Sequence, residues 1–250
     1  MSEDFLNVAD DFFVNLNLQT VLDLPGSRET VLSFLEVIQK EFPDLSSFYH
    51  RDGGEFVLEG DQEKGSYPWL EIQKNRLTAG YFDPPNLQKA YHQHRRILDR
   101  CKYYLGMGGL DLECLDVLFG FNLAYTGNRD AIVAQALLAG SPLSAMLGDP
   151  GTKALEFEPD FVIALEEACT LQARLSVETR SSSYQVRTGQ YEEEPITVYL
   201  TVRRYPGEGK TIVVEESFTE QCQYCEDLAQ RIVVPQVIQP LAAAIAAAGQ

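Results

Sequence analysis

The stretch VNLNLQ, residues 14–19, alternates apolar and polar side chains with a period of two. Successive side chains of a β-strand point to opposite faces of its sheet, so this period predicts a strand with one apolar and one polar face. The polar positions are Asn15, Asn17 and Gln19. A sheet made of such strands is covered on one face only, which is typical of antiparallel sheets.

The segments around this stretch predict strands and helices in a mixed order. The predicted helices repeat apolar residues three and four apart, and Ser27 and Asn86 stand at their starts as capping residues. The first part of the chain is predicted as β-α-β-β-β-α. Its elements are a strand at 11–24, a helix after Ser27, a strand at 54–60, a hairpin at 69–82 and a helix at 83–105.

A similar order follows in the second part of the chain. RDAIV at 129–133 echoes RETVL at 28–32, and Asn128 is placed to cap the later helix. We therefore predict a duplicated unit, with halves at 1–108 and 109–250 joined into one pseudo-symmetric domain. The later elements are a strand at 112–128, a helix at 129–140, strands at 160–168, 169–180, 196–205 and 210–216, and a helix from Ser217.

Two β-α-β-β-β-(β)-α units predict an α+β fold, a largely antiparallel sheet with its helices on one face. This element order resembles the duplicated arrangement of the TATA-binding-protein fold. The resemblance lies in the order of elements alone. No nucleic-acid-reading residues of that family match here, so it implies no site.

The composition narrows the classes of function. Asp and Glu number 37 against 20 Lys and Arg, giving a net charge of −17. This charge repels phosphate backbones and anionic lipid surfaces, so we expect neither nucleic acid nor a membrane as partner. The chain contains no unbroken run of about 18 apolar residues, so no membrane span is predicted. The acidic N-terminal stretch is unlike a signal peptide, so we predict a cytoplasmic protein.

The only C-x-x-C motif, Cys222 and Cys225, lies in the last predicted helix. Ser217 and Glu220 form an S-x-x-E capping box, which predicts that this helix begins just after Ser217. The cysteines then lie more than a turn inside and share an apolar stripe, whereas a redox pair is activated at a helix N-terminus. No second C-x-x-C or nearby histidine completes a zinc site. We interpret the pair as core packing.

Other motif fragments lack residues that their chemistry needs. GEGKT, residues 207–211, ends like a phosphate-binding loop, but Arg204 replaces the first glycine and the following IVVEE predicts a strand. We therefore predict a hairpin turn there. His92 and His94 lie two apart on a predicted helix and cannot chelate together, so we interpret them and His50 as surface residues. The acidic loop 188–195 lacks calcium-ligand spacing. No metal or other cofactor is expected.

The segment 89–102 is the one basic island, with five Lys and Arg residues against Asp99. Such a helix face could bind an acidic partner or the acidic body of a second copy. We favour a solvated face whose charges balance acidic neighbours within the fold.

The polar face of the predicted sheet is the candidate binding site, because a one-sided antiparallel sheet leaves that face open to water. Arginine, tyrosine and amide groups there suit a peptide, a protein or a small anionic ligand. Simple cross-strand ion pairs are the alternative interpretation. The candidate residues are Asn15, Asn17, Gln19, Arg174, Glu178, Tyr199 and Arg203.

Three hypotheses of function follow. The first is a binding or scaffold module that uses this polar face. The second is an enzyme whose acid–base site combines Glu178 with Arg174, Arg203 and Tyr199. The third is a self-assembling subunit, in which the small-residue segment 240–250 packs on another chain. The absence of a catalytic motif favours the first.

Overall fold

A computed structural model describes residues 4–249. Residues 1–3, at the start of the acidic N-terminal stretch, and residue 250, at the end of the predicted second half, lie outside the described residues. The chain has an α+β fold in which nine strands form one antiparallel sheet and helices pack against one face of it. The α+β class and the antiparallel sheet are confirmed.

The two central strands of the sheet, β1 and β6, pair with each other along most of their length. The spatial order is β2-β3-β4-β5-β1-β6-β9-β8-β7, so the short strands β2 and β7 form the edges. The strands are β1 (Asp11–Thr20), β2 (Ser47–His50), β3 (Phe56–Glu59), β4 (Tyr67–Ile72), β5 (Arg76–Phe82), β6 (Leu112–Leu123), β7 (Asp160–Ala164), β8 (Leu171–Glu178) and β9 (Ile196–Arg204).

Three of the helices begin at the capping residues that the sequence predicts. The side chains of Ser27, Asn86 and Asn128 each accept a hydrogen bond from the backbone N–H three residues later, which satisfies one of the free donors of the first turn. The helices are α1 (Arg28–Glu41), α2 (Leu87–Tyr104), α3 (Arg129–Leu137), α4 (Ser183–Thr188), α5 (Val214–Leu228) and α6 (Gln239–Ala248).

A π-helical segment, Ala229–Ile238, joins α5 to α6 without a break. Pro235 lies inside this segment. Proline has no N–H and its ring clashes with the preceding turn, so an α-helix cannot pass through it undisturbed. The wider π turns are one of the local adjustments by which a long helix accommodates such a residue.

The core lies between the sheet and the helices. Every second residue of β1, from Phe12 to Thr20, is buried, and the residues between them are partly exposed. The buried set continues at the same register through Tyr81 on β5, Phe119 on β6 and Leu200 on β9. We call this side the covered face and the opposite side the open face.

The strand predicted at 210–216 is wrong. Both sides of β9 are already paired, with β6 and with β8, so no sheet edge remains beside it for another strand. Helix α5 begins at Val214 instead, and Glu215 and Glu216 in its first turn favour a helix N-terminus. The predicted capping box is also wrong, because Ser217 lies buried inside the helix and its N–H donates to the carbonyl of Val213.

The unbroken helix Val214–Ala248 is long and apolar enough, by length and composition, to cross a membrane. The sequence nevertheless contains no unbroken run of about 18 apolar residues, so the absence of a membrane span stays a prediction. One third of its most apolar window is buried within the protein (33%), and core helices of soluble proteins meet the same criterion. The criterion alone does not place this helix in a membrane.

Candidate functional site

All seven candidate residues lie on the open face. They occupy alternate positions of β1, β8 and β9, and the pairing register places their side chains on the side of the sheet opposite to the buried residues. Arg174 and Glu178 are exposed, and the other five are partly exposed. The alternation of polar residues therefore locates this face correctly, whereas their binding role stays a prediction.

The most prominent feature of the open face is a row of four aromatic rings, which we call the aromatic row: Tyr67, Phe82, Phe13 and Tyr199. The pairing register aligns Tyr67 with Phe82, Phe82 with Phe13, and Phe13 with Gly120, which is itself opposite Tyr199. Ring centroids lie 5.3 Å apart for Tyr67 and Phe82, 6.4 Å for Phe82 and Phe13, and 6.1 Å for Phe13 and Tyr199. The rings thus contact one another across the sheet and remain partly exposed.

Two glycines make room for aromatic side chains to lie flat on this face. A Cβ atom on Gly120 would lie 2.0 Å from the ring of Phe13, and one on Gly80 would lie 2.3 Å from the indole of Trp69. Any larger residue would lift these rings away from the sheet. Beside Gly80, the buried Oδ1 of Asn15 has no hydrogen-bond partner among the described residues.

The arginines predicted for the site are already bound by carboxylates. Arg203 donates two hydrogen bonds to Asp116, at 2.7 and 2.6 Å, and Arg174 donates two to Asp160, at 2.8 and 2.6 Å. The hydrogen bond to Asp116 raises the pKa of Arg203 further above its usual value. The hydrogen bond from Arg174 lowers the pKa of Asp160. Both guanidinium groups are therefore occupied within the protein.

Glu178 and Tyr199 belong to a different group of contacts, centred on Arg180. The guanidinium of Arg180 donates to the hydroxyl of Tyr199 at 2.8 Å, to Glu178 at 3.2 Å and to Thr197 at 3.0 Å. Burial raises the pKa of Tyr199, so the phenol stays neutral. The alternation of this segment already places Arg180 on the polar face with Arg174 and Glu178, although Arg180 is not among the seven candidate residues.

A cavity of about 370 Å³ lies on the open face. Asn17, Gln19, Arg174 and Arg203 line it, but Glu178 and Tyr199 do not. The four residues of the enzyme hypothesis therefore do not converge on one cavity. Within the part of the chain that the structure describes, no group of three His, Cys, Asp or Glu side chains is arranged to hold a metal ion.

The C-x-x-C motif lies on the covered face. Cys222 and Cys225 are buried, and the thiol of Cys225 donates to the carbonyl of Val117 at 3.5 Å. Burial raises the pKa of both thiols well above the ordinary value, which favours the unreactive protonated form. The interpretation of this pair as core packing is in accord with these contacts.

The prediction that all three histidines lie on the surface is wrong for His94. His50 and His92 are exposed, whereas His94 is fully buried beside Phe218 and neither ring nitrogen has a hydrogen-bond partner within the described residues. Desolvation lowers the pKa of His94 to about 3. Its neighbours Gln93 and Ile97 are buried as well, so the covered side of α2 is wider than its apolar pattern indicates.

The basic island on α2 is partly balanced within the fold, as favoured from the sequence. Glu41 on α1 pairs with Arg96 and with Arg100, and Asp99 also pairs with Arg96. The hydrogen bond from Arg96 lowers the pKa of Glu41. Lys89 lies 3.8 Å from Asp44.

Neither a scan against protein-family models nor a search of curated proteins finds a match to this chain. The functional argument therefore depends on the geometry of the chain itself.

Proposed function

We propose that this protein is a binding module whose open face holds an extended segment of a partner protein that carries basic side chains. The observation that supports this proposal is the aromatic row on the open face, where all four rings contact a neighbour and remain partly exposed. Aromatic rings that are partly buried by each other present flat apolar surfaces, and their faces attract Lys and Arg side chains. Aromatic residues are also enriched where proteins bind one another.

The charges of the chain favour a basic partner over the small anion also considered. An anion would have to displace Asp160 from Arg174 or Asp116 from Arg203, since both pairs are bidentate. The net charge of −17 would repel it at long range. The same charge attracts a cationic segment and accelerates its encounter with the open face.

The chain contains a built-in reporter for this proposal. Trp69 is its only tryptophan, and its indole lies on the open face over Gly80, next to the aromatic row. We expect a short peptide of alternating arginine and serine to change the emission of Trp69 in a saturable way, at a molar ratio of one to one. The matched peptide of alternating glutamate and serine should leave the emission unchanged.

A pair of variants separates the aromatic row from general charge attraction. Phe13→Ala should weaken binding of the arginine peptide about tenfold, because one ring of the row is lost. Tyr103→Ala removes an exposed aromatic residue from α2 on the other side of the sheet and should have no effect. Equal binding by Phe13→Ala and the unchanged protein, or equal binding of both peptides, would contradict the proposal.

Self-association is a second candidate function, and the edge strand β7 favours it. All five residues of β7 are exposed, and Phe161, Val162 and Ile163 form an apolar run without proline or lysine. Val177 donates to Pro159 and Leu165 donates to Leu171, so Asp160, Val162 and Ala164 direct their backbone groups away from β8. Such an unprotected edge is a template for pairing with another strand.

Strand β7 is complementary to its own antiparallel copy. With Val162 opposite Val162 of a second molecule, Phe161 meets Ile163 and Asp160 meets Ala164, so no carboxylates oppose each other. We expect light scattering to show a dimer of the unchanged protein. Val162→Pro should give a monomer because proline removes the outward N–H, whereas Val162→Thr keeps this N–H and should remain a dimer. A dimer unaffected by Val162→Pro would exclude this pairing. Helix α6, part of the segment considered for assembly, buries Leu241 and Ala244 within the chain and contacts α3, and its packing on another chain stays a prediction.

The duplication also stays a proposal, supported by the sheet order. Outward from β1 lie β5, β4 and β3, and outward from β6 lie β9, β8 and β7. The halves differ in that the first has the extra strand β2, while the second has α4 and α6. If each half is a folding unit, the two halves of the chain, cut within the 106–111 loop and produced separately, should reassociate.

The enzyme hypothesis gains no support from the geometry of its four residues.

A further inference from the structure

A second cavity, larger than the one on the open face, lies on the other side of the sheet from the proposed binding face. It measures about 560 Å³, within the usual range of small-molecule sites. Helix α2, the start of α5 and the 107–109 segment surround it, beyond the ends of β1 and β6. A Cβ atom on Gly109 would lie 3.1 Å from Thr211, so the two loops close one side of the cavity.

The floor of this cavity is apolar and mainly aliphatic. Its buried side chains come from four separate parts of the chain, so the floor is part of the rigid core. Aliphatic walls suit an alkyl chain, which makes many weak dispersion contacts without a polar partner. The floor consists of Leu18, Leu98, Met107, Leu112, Ile212 and Phe218.

The rim carries two cations that the fold does not neutralise. Arg95 and Lys102 form no ion pair within the described part of the chain, whereas Arg96 beside them is paired with Glu41 and Asp99. Arg95 lies over the ring of Phe218, 5.6 Å from its centroid, at the boundary between rim and floor. Glu215 is the remaining carboxylate at the rim. These two cations lie above an apolar floor in a chain whose net charge is −17.

We infer that this cavity binds a small amphipathic anion, an alkyl chain that ends in a carboxylate or phosphate. The chain would lie on the aliphatic floor and the anionic group would contact Arg95 and Lys102. This assignment gives the unpaired part of the basic island a function distinct from that of the open face. It does not depend on the proposed partner of the open face.

The inference is tested with three molecules that share one alkyl chain: octanoate, octanol and octylammonium. Calorimetry should give one site per chain, with octanoate bound at least about tenfold more tightly than octylammonium and octanol between them. The emission of Trp69 should not change, because Trp69 lies on the opposite face. Equal affinity for the three, or binding of none, would overturn the inference.

Matched variants locate the site. The double variant Arg95→Gln, Lys102→Gln should lose about tenfold in octanoate affinity while octanol binding, which reports an intact cavity, stays the same. Arg95→Lys should retain octanoate binding. Arg28→Gln with Lys64→Gln removes the same charge at residues that do not line the cavity and should change nothing. If this control pair weakens octanoate binding equally, the effect is one of general charge and the inference fails.

The anion could come from solution or from a lipid headgroup. Vesicles of anionic lipid, compared with neutral vesicles, distinguish these sources. The protein should bind neither kind of vesicle, because its net charge of −17 disfavours an anionic surface. Neither kind of vesicle should therefore weaken its binding of octanoate in solution. Binding to anionic vesicles without binding to free octanoate would replace the soluble ligand with a membrane and overturn the inference.

Discussion

The two faces of one sheet use the same residue types in different ways. Phe119 and Phe13 lie on the adjacent strands β6 and β1, but Phe119 is fully buried under helices and Phe13 is partly exposed on the open face. Helices that cover a face exclude water from the side chains beneath them. Aromatic rings that lie side by side over glycines shield only part of one another's surface from water. The covered face therefore supplies stability, and the open face retains apolar area for a partner.

The largest effect that this comparison predicts comes from paired alanine substitutions. Phe119→Ala should lower the free energy of unfolding by about 3–5 kcal/mol, since it leaves a cavity in a closed core. Phe13→Ala should lower it by about 1–2 kcal/mol, because a partly exposed ring buries less area and leaves no enclosed void. Urea denaturation measures both. Equal losses would mean that the open face is as important to the core as the covered face, and would remove the distinction.

A buried arginine tests whether the covered side depends on apolar contacts alone. Arg129 is fully buried at the start of α3, and its guanidinium donates to the carbonyls of Thr179, Arg180, Glu192 and Glu194 at 2.5–3.3 Å. Arg129→Met keeps the length of the side chain but leaves these acceptors without their donor. We expect a loss of about 3 kcal/mol in unfolding free energy. Arg187→Met, an exposed control, should lose little.

Arg129 also anchors the acidic loop 188–195, because two of the loop's carbonyls accept hydrogen bonds from its guanidinium. Hydrogen exchange of the loop amides should therefore accelerate in Arg129→Met. An unchanged loop in that variant would show that its conformation does not depend on the guanidinium.

His94 predicts a smaller effect, which depends on pH. Its pKa is about 3 in the folded protein and 6.5 when unperturbed, so the unfolded state binds the additional proton between these values. Stability is therefore unaffected above this window and falls as the pH drops through it, with a slope of up to about 1.4 kcal/mol per pH unit. His94→Leu should remove this slope. Because neither ring nitrogen is hydrogen-bonded, it should cost about 1 kcal/mol or less at neutral pH. A slope that persists in the variant would assign the acid sensitivity to other groups.

The covered face was predictable from the sequence and the open face only in part. Period-two alternation locates Val14, Leu16 and Leu18 in the core because each residue contributes its own preference for burial. The prediction of a strand at 210–216 was wrong although the local sequence favours one, because both sides of β9 are already paired. Which strands pair with β9 is decided only by the assembled sheet. Likewise, the aromatic row combines residues from four strands, and the register that aligns them is a property of the whole sheet.

The smallest predicted effect concerns the ion pairs of the open face. The carboxylate of Asp160 and the guanidinium of Arg174 are both about half exposed (43% and 54%), so water screens their attraction. A double-mutant cycle with Asp160→Asn and Arg174→Met should give a coupling energy of about 0.2–1 kcal/mol that decreases in high salt. Arg174 lowers the pKa of Asp160, so this coupling is present above the pKa of the carboxyl group in the unfolded state and is lost as the pH falls through its pKa in the folded state.

The parallel cycle on Arg203 and Asp116 is the control. Asp116 is only 6% exposed there, so its coupling should be larger and less sensitive to salt. If the two cycles gave equal energies with equal salt dependence, the open face would have a uniform environment, and the paired arginines would no longer argue against an anionic ligand.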